Sequence, residues 1–183
     1  MSTYHHGDLR AALLRAAGQR LEKQGAGAVS LRAAARRAGV SHSAPYRHFP
    51  DREALLAALA TEGFRQLAQT LAAGGMRDTG EAYVRFALAH PNRFRLMFGG
   101  GLRLASHPEL RAGSQAAHEA FRAAFSALGI ENPARAAAAA WSLVHGLAHL
   151  LLEAHLRAEP HAEEFVKEVL GAVRLAARAQ RAA

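Results

Sequence analysis

Apolar residues recur at helical spacing along most of the chain, and no segment shows the alternation of apolar and polar residues that is typical of a strand. The pattern predicts a first helix that Asp8 caps and that ends near Gln24. Ser30 then caps a short second helix, which Gly39 closes. Ser41 caps a third helix, which reaches only Phe49 because the following proline disfavours helical backbone at that residue.

Longer helices follow these three. Asp51 caps a fourth helix that continues to about Gly74, and prolines and glycines separate the helical patterns after it. These later patterns cover about 81–89, 91–98, 108–128, 133–157 and 161–181. The sequence therefore predicts an all-α protein of about nine helices.

Composition agrees with this fold and limits the kinds of site that the chain can form. Half of the residues are hydrophobic but only 7% are aromatic, which is typical of Ala-rich helices. The absence of cysteine excludes disulfides and thiolate metal sites. Residues 1–59 contain nine Lys or Arg against four Asp or Glu, a net charge of +5 that favours a polyanionic partner for the N-terminal part.

No segment predicts export or a membrane span. The N-terminus lacks the apolar core of a signal peptide, so we expect a cytoplasmic protein. The most apolar run, Ala136 to Leu152, is short for a bilayer and contains His145 and His149, which favours a buried helix.

The short helices around Gly39 predict a helix-turn-helix, in which the helix after the turn enters the major groove of DNA. Pro45 falls in the first turn of that helix, where a proline costs little, and faces inward with Phe49. The outward face then carries donors to phosphates or to base edges. These are His42, Ser43 and Arg47, flanked by Tyr46 and His48.

Residues 30–55, SLRAAARRAGVSHSAPYRHFPDREAL, resemble the DNA-binding signature of TetR-type transcriptional regulators. The shared elements are the opening Ser, AGVS at the turn, Tyr-x-His-Phe, and a basic residue before an acidic one and a leucine. The chain departs from the usual pattern at Pro45, where Leu or Ile is common, and at Arg52, where Lys is common.

The resemblance implies a homodimeric repressor, without cofactor or enzymatic activity, that binds a palindromic operator. It places the DNA-binding domain at residues 1–55 and a helical ligand-binding and dimerisation domain at 56–183. Tyr46, His48 and Arg52 would then hold phosphates. The residues that would approach bases are Arg32, His42, Ser43 and Ala44, and Ser41 and Arg47 complete the predicted DNA-binding set.

A second motif lies in the C-terminal half. Trp141, His145, His149 and Glu153 recur every four residues and share one helix face. With HPNRFRLMF at 90–98, the Trp-x-x-x-His-Gly element resembles a TetR subgroup named for those three residues, in which this region binds an effector and dimerises. The predicted pocket for an unknown small, largely apolar effector comprises Phe86, Phe94, Met97, Phe98, Phe121, Phe125, Trp141, His145 and His149.

Small residues in the last two predicted helices favour a four-helix interface between two copies of the chain. Three alternatives stay open from the sequence. The aromatic residues could be plain core packing. His145 and His149 could share a metal with Glu153 in a helical enzyme. The basic N-terminal part could bind DNA without sequence preference.

Overall fold

Helices form all the regular secondary structure of the described residues, 6–73, 78–126, 132–157 and 163–172, in this computed structural model. The all-α prediction is therefore confirmed. The helices are α1 (His6–Gln24), α2 (Leu31–Ala38), α3 (Arg52–Ala73), α4 (Thr79–Ala89), α5 (Pro91–Phe98), α6 (Pro108–Ser126) and α7 (Pro133–Leu152), with α8 over residues 163–172. The predicted parts at 74, 127–128 and 161–162 and beyond 172 lie outside the described residues.

Three of the predicted helix boundaries rest on the caps that the sequence indicates. The Ser30 hydroxyl accepts a hydrogen bond from the Ala33 amide at 3.2 Å, and the Asp51 carboxylate accepts one from Ala54 at 2.8 Å. Gly39 adopts left-handed backbone, with φ of 70°, at the end of α2. The prediction for Asp8 was wrong, because α1 begins at His6 and Asp8 lies inside its first turn.

The predicted third helix, Ser41–Phe49, is replaced by a 3-10 turn over Ala44–Arg47. Pro45 has no amide hydrogen to donate to Ser41, so the α-helical pattern cannot begin there. The Tyr46 amide bonds instead to the Ser43 carbonyl three residues back, at 3.3 Å. The structure thus has eight α-helices in its described residues rather than about nine.

The described chain packs as two units. Unit 1 contains the described residues up to Gln66 together with His90–Ala116. In it, α1 packs against α2 and α5, over a core that includes Leu13, Leu21, Val29, Leu55 and Leu59.

Unit 2 contains Leu67–Ala89 and the described residues from Ala117 onward. In it, α4 packs against α7, and Leu170 of α8 lies close to Gly80. The proposed boundary between residues 55 and 56 falls within α3. None of the described helices combines the length and apolar character that crossing a membrane requires.

Candidate nucleic-acid interface and aromatic cluster

The segment 41–48, which we call the reading turn, is held by its backbone and by two inward residues. The Ala44 amide bonds to the Ser41 carbonyl at 3.1 Å, and the Phe49 amide bonds to the Pro45 carbonyl at 2.9 Å. Pro45 and Phe49 are both buried, as predicted from the sequence. The reading turn packs against α2, so its backbone is fixed without help from its outward side chains.

Most of the predicted DNA-binding residues of the turn are exposed. Ser41, His42, Ser43 and Arg47 are solvent-accessible, and the Tyr46 side chain is 50% exposed. Ser41 does not cap a helix; its hydroxyl lies 3.3 Å from that of Ser43. Ala44 is half-buried and Arg32 is exposed on α2. These hydroxyl, imidazole and guanidinium groups form a polar surface able to donate to phosphates and base edges.

His48 differs from its neighbours in the turn. Its ring is half-buried, and its Nε2 is buried without a hydrogen-bond partner among the described residues. A phosphate therefore cannot reach Nε2 in this conformation, because the atom is closed off from solvent. Its predicted role as a phosphate ligand would need Nδ1 or a shift of the ring.

Arg52 has a structural role that sequence reasoning did not identify. Its Nε donates to the Val29 carbonyl at 2.8 Å and its Nη2 donates to the Ala26 carbonyl at 2.6 Å. These two bonds tie the start of α3 to the loop between α1 and α2. The side chain therefore braces the helix-turn-helix first, and any bond to phosphate falls to its remaining N–H groups.

The predicted effector residues of α5 lie in unit 1, where they form part of its core. Phe94 and Met97 are buried. The Phe98 ring meets the Phe64 ring edge to face and the Phe94 ring at a tilt, with centroid distances of 5.2 and 4.8 Å. Gly63 lets α5 approach α3, because a Cβ there would lie 2.6 Å from the Met97 sulfur.

Polar bonds fix the start of α5 to the end of α1. The Asn92 amide donates to the Glu22 carbonyl at 2.9 Å, and Arg93 Nε donates to the Glu22 carboxylate at 2.8 Å. HPNRFRLMF thus packs against α1 and α3 in unit 1, whereas the aromatic residue of α7 belongs to unit 2.

The remaining predicted effector residues belong to unit 2, and most of them pack together there. Tyr83, Phe121, Trp141 and His145, which we call the aromatic–histidine cluster, meet edge to face around Tyr83 with centroid distances of 5.0 to 6.2 Å. Phe125 stacks on Phe121 at 5.6 Å, and His149 lies 4.6 Å from His145. Phe86 is buried on the same helix as Tyr83.

Tyr83 was missed in the sequence and is the centre of this cluster. Its side chain is fully buried, and its hydroxyl lies 2.8 Å from His145 Nδ1. The available signal was its position in α4, three residues before Phe86 on the inward face.

The electrostatics of the cluster favour neutral groups. Burial raises the pKa of the Tyr83 phenol well above its ordinary value. Burial also lowers the pKa of His145, and the nearby charge of His149 lowers it further. A neutral His145 can accept a hydrogen bond from the Tyr83 hydroxyl at Nδ1, so the pair is satisfied without charge.

A metal site is not supported. Among the residues that the structure describes, no group of three or more His, Asp or Glu side chains could hold a metal ion. His145, His149 and Glu153 therefore do not converge on one point, and Glu153 ends α7 as its C-terminal cap.

Comparisons with known proteins agree with both halves of this description. Residues 13–59 match the family model of bacterial regulatory proteins, tetR family, and residues 76–173 match that of the tetracyclin repressor-like C-terminal domain. Neither family model identifies the Trp-His-Gly subgroup, so membership of that subgroup stays a prediction. Among curated proteins, none is significantly similar to the chain.

Solved structures share the fold over most of the chain. A protein with unknown function from Rhodococcus sp. RHA1 is 35% identical, with a TM-score of 0.78 over 92% of this chain and 95% of that one. A tetR-family regulatory protein from Rhodococcus RHA1 is 18% identical, with a TM-score of 0.67 over 89% and 93%. NalD, the secondary repressor of the MexAB-OprM multidrug efflux pump in Pseudomonas aeruginosa, is 24% identical, with a TM-score of 0.56 over 88% and 93%.

The exposed reading turn on a capped helix-turn-helix and the two family matches lead to the same assignment. The C-terminal match alone covers more than half of the chain. The chain belongs to the tetR family of bacterial regulatory proteins and is a TetR-type transcriptional regulator.

Proposed function

We propose that the protein is a cytoplasmic homodimer that represses transcription by binding a palindromic operator. A small, largely apolar effector controls its affinity for that operator. The observation that carries the proposal is the reading turn, whose inward residues fix the backbone while its polar side chains stay exposed. Repression is favoured by the description of NalD as a repressor. DNA binding, rather than catalysis, is the activity that these groups serve.

The outward side chains divide into two roles. Arg32, His42, Ser43, Ala44 and Arg47 approach base edges, where Arg and His can read guanine and a methyl group can contact thymine. Ser41 and Tyr46 donate to phosphates and set the register on the duplex. Arg52 adds charge near the backbone while it braces the loop, and His48 contributes only if its ring turns.

The outward face of α7 supports a dimer. Leu143 and Leu150 are exposed, at 38% and 42%, and Ser142 and Gly146 lie beside them on the same side of the helix. The sequence contains no Asp, Glu, Lys or Arg from residue 136 to residue 152. A second copy of α7, with the last predicted helix beside it, would cover this face in a four-helix interface.

The effector site is proposed in unit 2, at the aromatic–histidine cluster. Such a cluster offers apolar surface with a few polar tips, which is the composition of small-molecule pockets. Two recognition segments of a dimer must lie about 34 Å apart to enter successive major grooves. An effector that favours another separation would lower operator affinity, and such coupling is typically about 1–3 kcal/mol.

Selection of duplexes from a random DNA pool by the purified protein tests the proposal. We expect an inverted repeat to be enriched. Arg47→Ala should weaken binding to the selected duplex by about 1–3 kcal/mol. Arg65→Ala, which removes an exposed arginine of α3 away from the turn, is the matched control and should leave affinity unchanged.

Two outcomes would contradict the proposal. Enrichment of no sequence, together with a steep salt dependence, would indicate binding to DNA without sequence preference. Equal losses of duplex affinity for Arg47→Ala and Arg65→Ala would show that the reading turn is not part of the DNA interface.

A further inference from the structure

A cleft between α1 and α2 of unit 1 lies outside the proposed DNA-reading and effector sites. Its volume is about 330 Å³, and it shares no residue with the reading turn. The polar side chains that line it are Gln19, Arg20, Lys23, Gln24, Arg36 and Arg37. Four positive charges therefore face one cavity.

Among the residues that the structure describes, no carboxylate offsets these charges. The lining contains no Asp or Glu, and none of the four basic side chains forms an ion pair with a described residue. Glu22, which is adjacent to Lys23 in sequence, is bound to Arg93 instead. Other arginines of the molecule do have acidic partners, as Arg122 has in Glu119 at 2.6 Å. The cleft therefore carries four positive charges without an acidic partner among the described residues.

Two of the guanidinium groups are held in place by neutral acceptors. Arg20 Nε donates to the Ala28 carbonyl at 2.6 Å, and Arg37 Nε donates to the Gln19 side-chain oxygen at 2.8 Å. Neither bond neutralises a charge, and each leaves the other N–H groups of its guanidinium for a ligand. Guanidinium groups fixed in this way bind anions with little loss of side-chain entropy.

We propose that this cleft binds a condensed phosphate, such as the di- or triphosphate group of a small metabolite. A single carboxylate would offset only one of four charges, whereas a triphosphate carries several and presents oxygens in many directions. The volume exceeds the need of one phosphate and suits a short chain of them. The phosphodiester backbone of a duplex is the competing source of phosphate, and the absence of any lining residue shared with the reading turn favours a diffusible condensed phosphate.

Calorimetric titration of the full-length protein with tripolyphosphate tests the site. We expect saturable binding of one molecule per protomer at roughly 0.15 M salt, where distant surface charges are screened. Arg36→Gln combined with Arg37→Gln should weaken binding by about tenfold or more. Arg65→Gln combined with Arg111→Gln removes the same charge from exposed positions outside the cleft and should leave binding unchanged.

The result that overturns the proposal is absence of saturable binding, or equal weakening by both double variants. Thermal melts of each variant establish that it is folded, and Arg36→Gln alone provides a variant that leaves the Arg37–Gln19 bond in place. This titration uses no DNA, so its outcome is independent of operator binding.

A competition experiment then distinguishes the two sources of phosphate. If the phosphate is diffusible, tripolyphosphate binds the protein equally well with saturating selected duplex, and the cleft variant keeps its duplex affinity. If the phosphate belongs to DNA, the duplex displaces tripolyphosphate, and the cleft variant loses duplex affinity with a shallower salt dependence. The first result supports the proposed condensed phosphate, and the second contradicts it by assigning the cleft to phosphodiesters of the duplex.

Discussion

The reading turn and the aromatic–histidine cluster use similar side chains in opposite ways. In the turn, Tyr46 and His42 are exposed, and the backbone is held by Pro45, Phe49 and neighbouring caps. In the cluster, Tyr83 and His145 bond to each other, and the tyrosine is fully buried. In the proposed function, stability and recognition are therefore carried by different residues in the turn, whereas the cluster combines them.

This difference determines how each region should respond to change. Substitution of an exposed residue of the turn should alter affinity for DNA and leave the free energy of unfolding almost unchanged. Substitution in the cluster should alter the free energy of unfolding first, because the same atoms fill the interior of unit 2.

The largest effect is expected for Phe121→Ala. Phe121 is 1% exposed and contacts Tyr83, Trp141 and Phe125. Loss of a buried phenyl group typically destabilises a protein by about 3–5 kcal/mol. Denaturant unfolding measures this loss, and Phe125→Ala, at a half-buried position, is the control with a smaller expected loss. A loss below about 1 kcal/mol would mean that Phe121 borders open space rather than filling the core.

Arg52→Gln is expected to have the next largest effect. The change removes the two hydrogen bonds from the guanidinium to the Ala26 and Val29 carbonyls. We expect a loss of about 2 kcal/mol in the free energy of unfolding, since bonds to charged donors are worth more than neutral ones. Arg47→Gln is the matched control without such bonds. A variant that lost DNA affinity but no stability would show that Arg52 acts only on phosphate.

A matched pair of phenol deletions separates the two regions directly. Tyr83→Phe leaves the half-buried His145 without its hydroxyl partner and should cost about 1 kcal/mol of stability. Tyr46→Phe should leave stability unchanged and weaken operator binding, because its hydroxyl is available to phosphate. The melting temperature and the operator affinity are measured for both variants. Equal changes of both quantities in the two variants would contradict the difference between the two regions.

The smallest effect is a dependence on pH. The pKa of His145 is lower in the folded protein, so the unfolded chain binds its proton more readily. The contribution of His145 to stability is therefore complete above its unfolded pKa of about 6.5 and is lost as pH falls below that value.

Melting temperatures of wild type and His145→Gln, measured at about pH 7.5 and about pH 5.5, test this dependence. Tyr83 and His149 are titratable groups that contact the His145 ring, and neither of them is changed in the variant. The wild type should lose more stability on acidification than the variant. Equal losses would assign the pH dependence to other histidines.

Local chemistry explains which parts of the molecule the sequence could predict. Ser30, Gly39 and Asp51 act through bonds to residues within five positions, so their helix boundaries followed from the sequence. The inward placement of Pro45 and Phe49 followed from spacing. The 3-10 form of the turn did not follow from the sequence. The missing amide hydrogen of Pro45 removes one α-helical bond, but it does not determine which carbonyl accepts the hydrogen bond of the Tyr46 amide.

Long-range packing explains the parts that were missed. The hydrogen bond from Arg52 to the Ala26 carbonyl spans 26 residues, and no local sequence pattern indicates it. Phe94 and Phe121 both showed inward helical spacing, yet Phe94 joins the core of unit 1 and Phe121 that of unit 2. Periodicity identifies an inward face but not the element that it meets.

The exposure of the reading turn also bears on how such a regulator changes over generations. His42, Ser43 and Arg47 take no part in the core, so in the proposed function mutations there alter operator preference without a stability penalty that other mutations must first compensate. Duplicated copies of the gene could then diverge toward new targets by single substitutions.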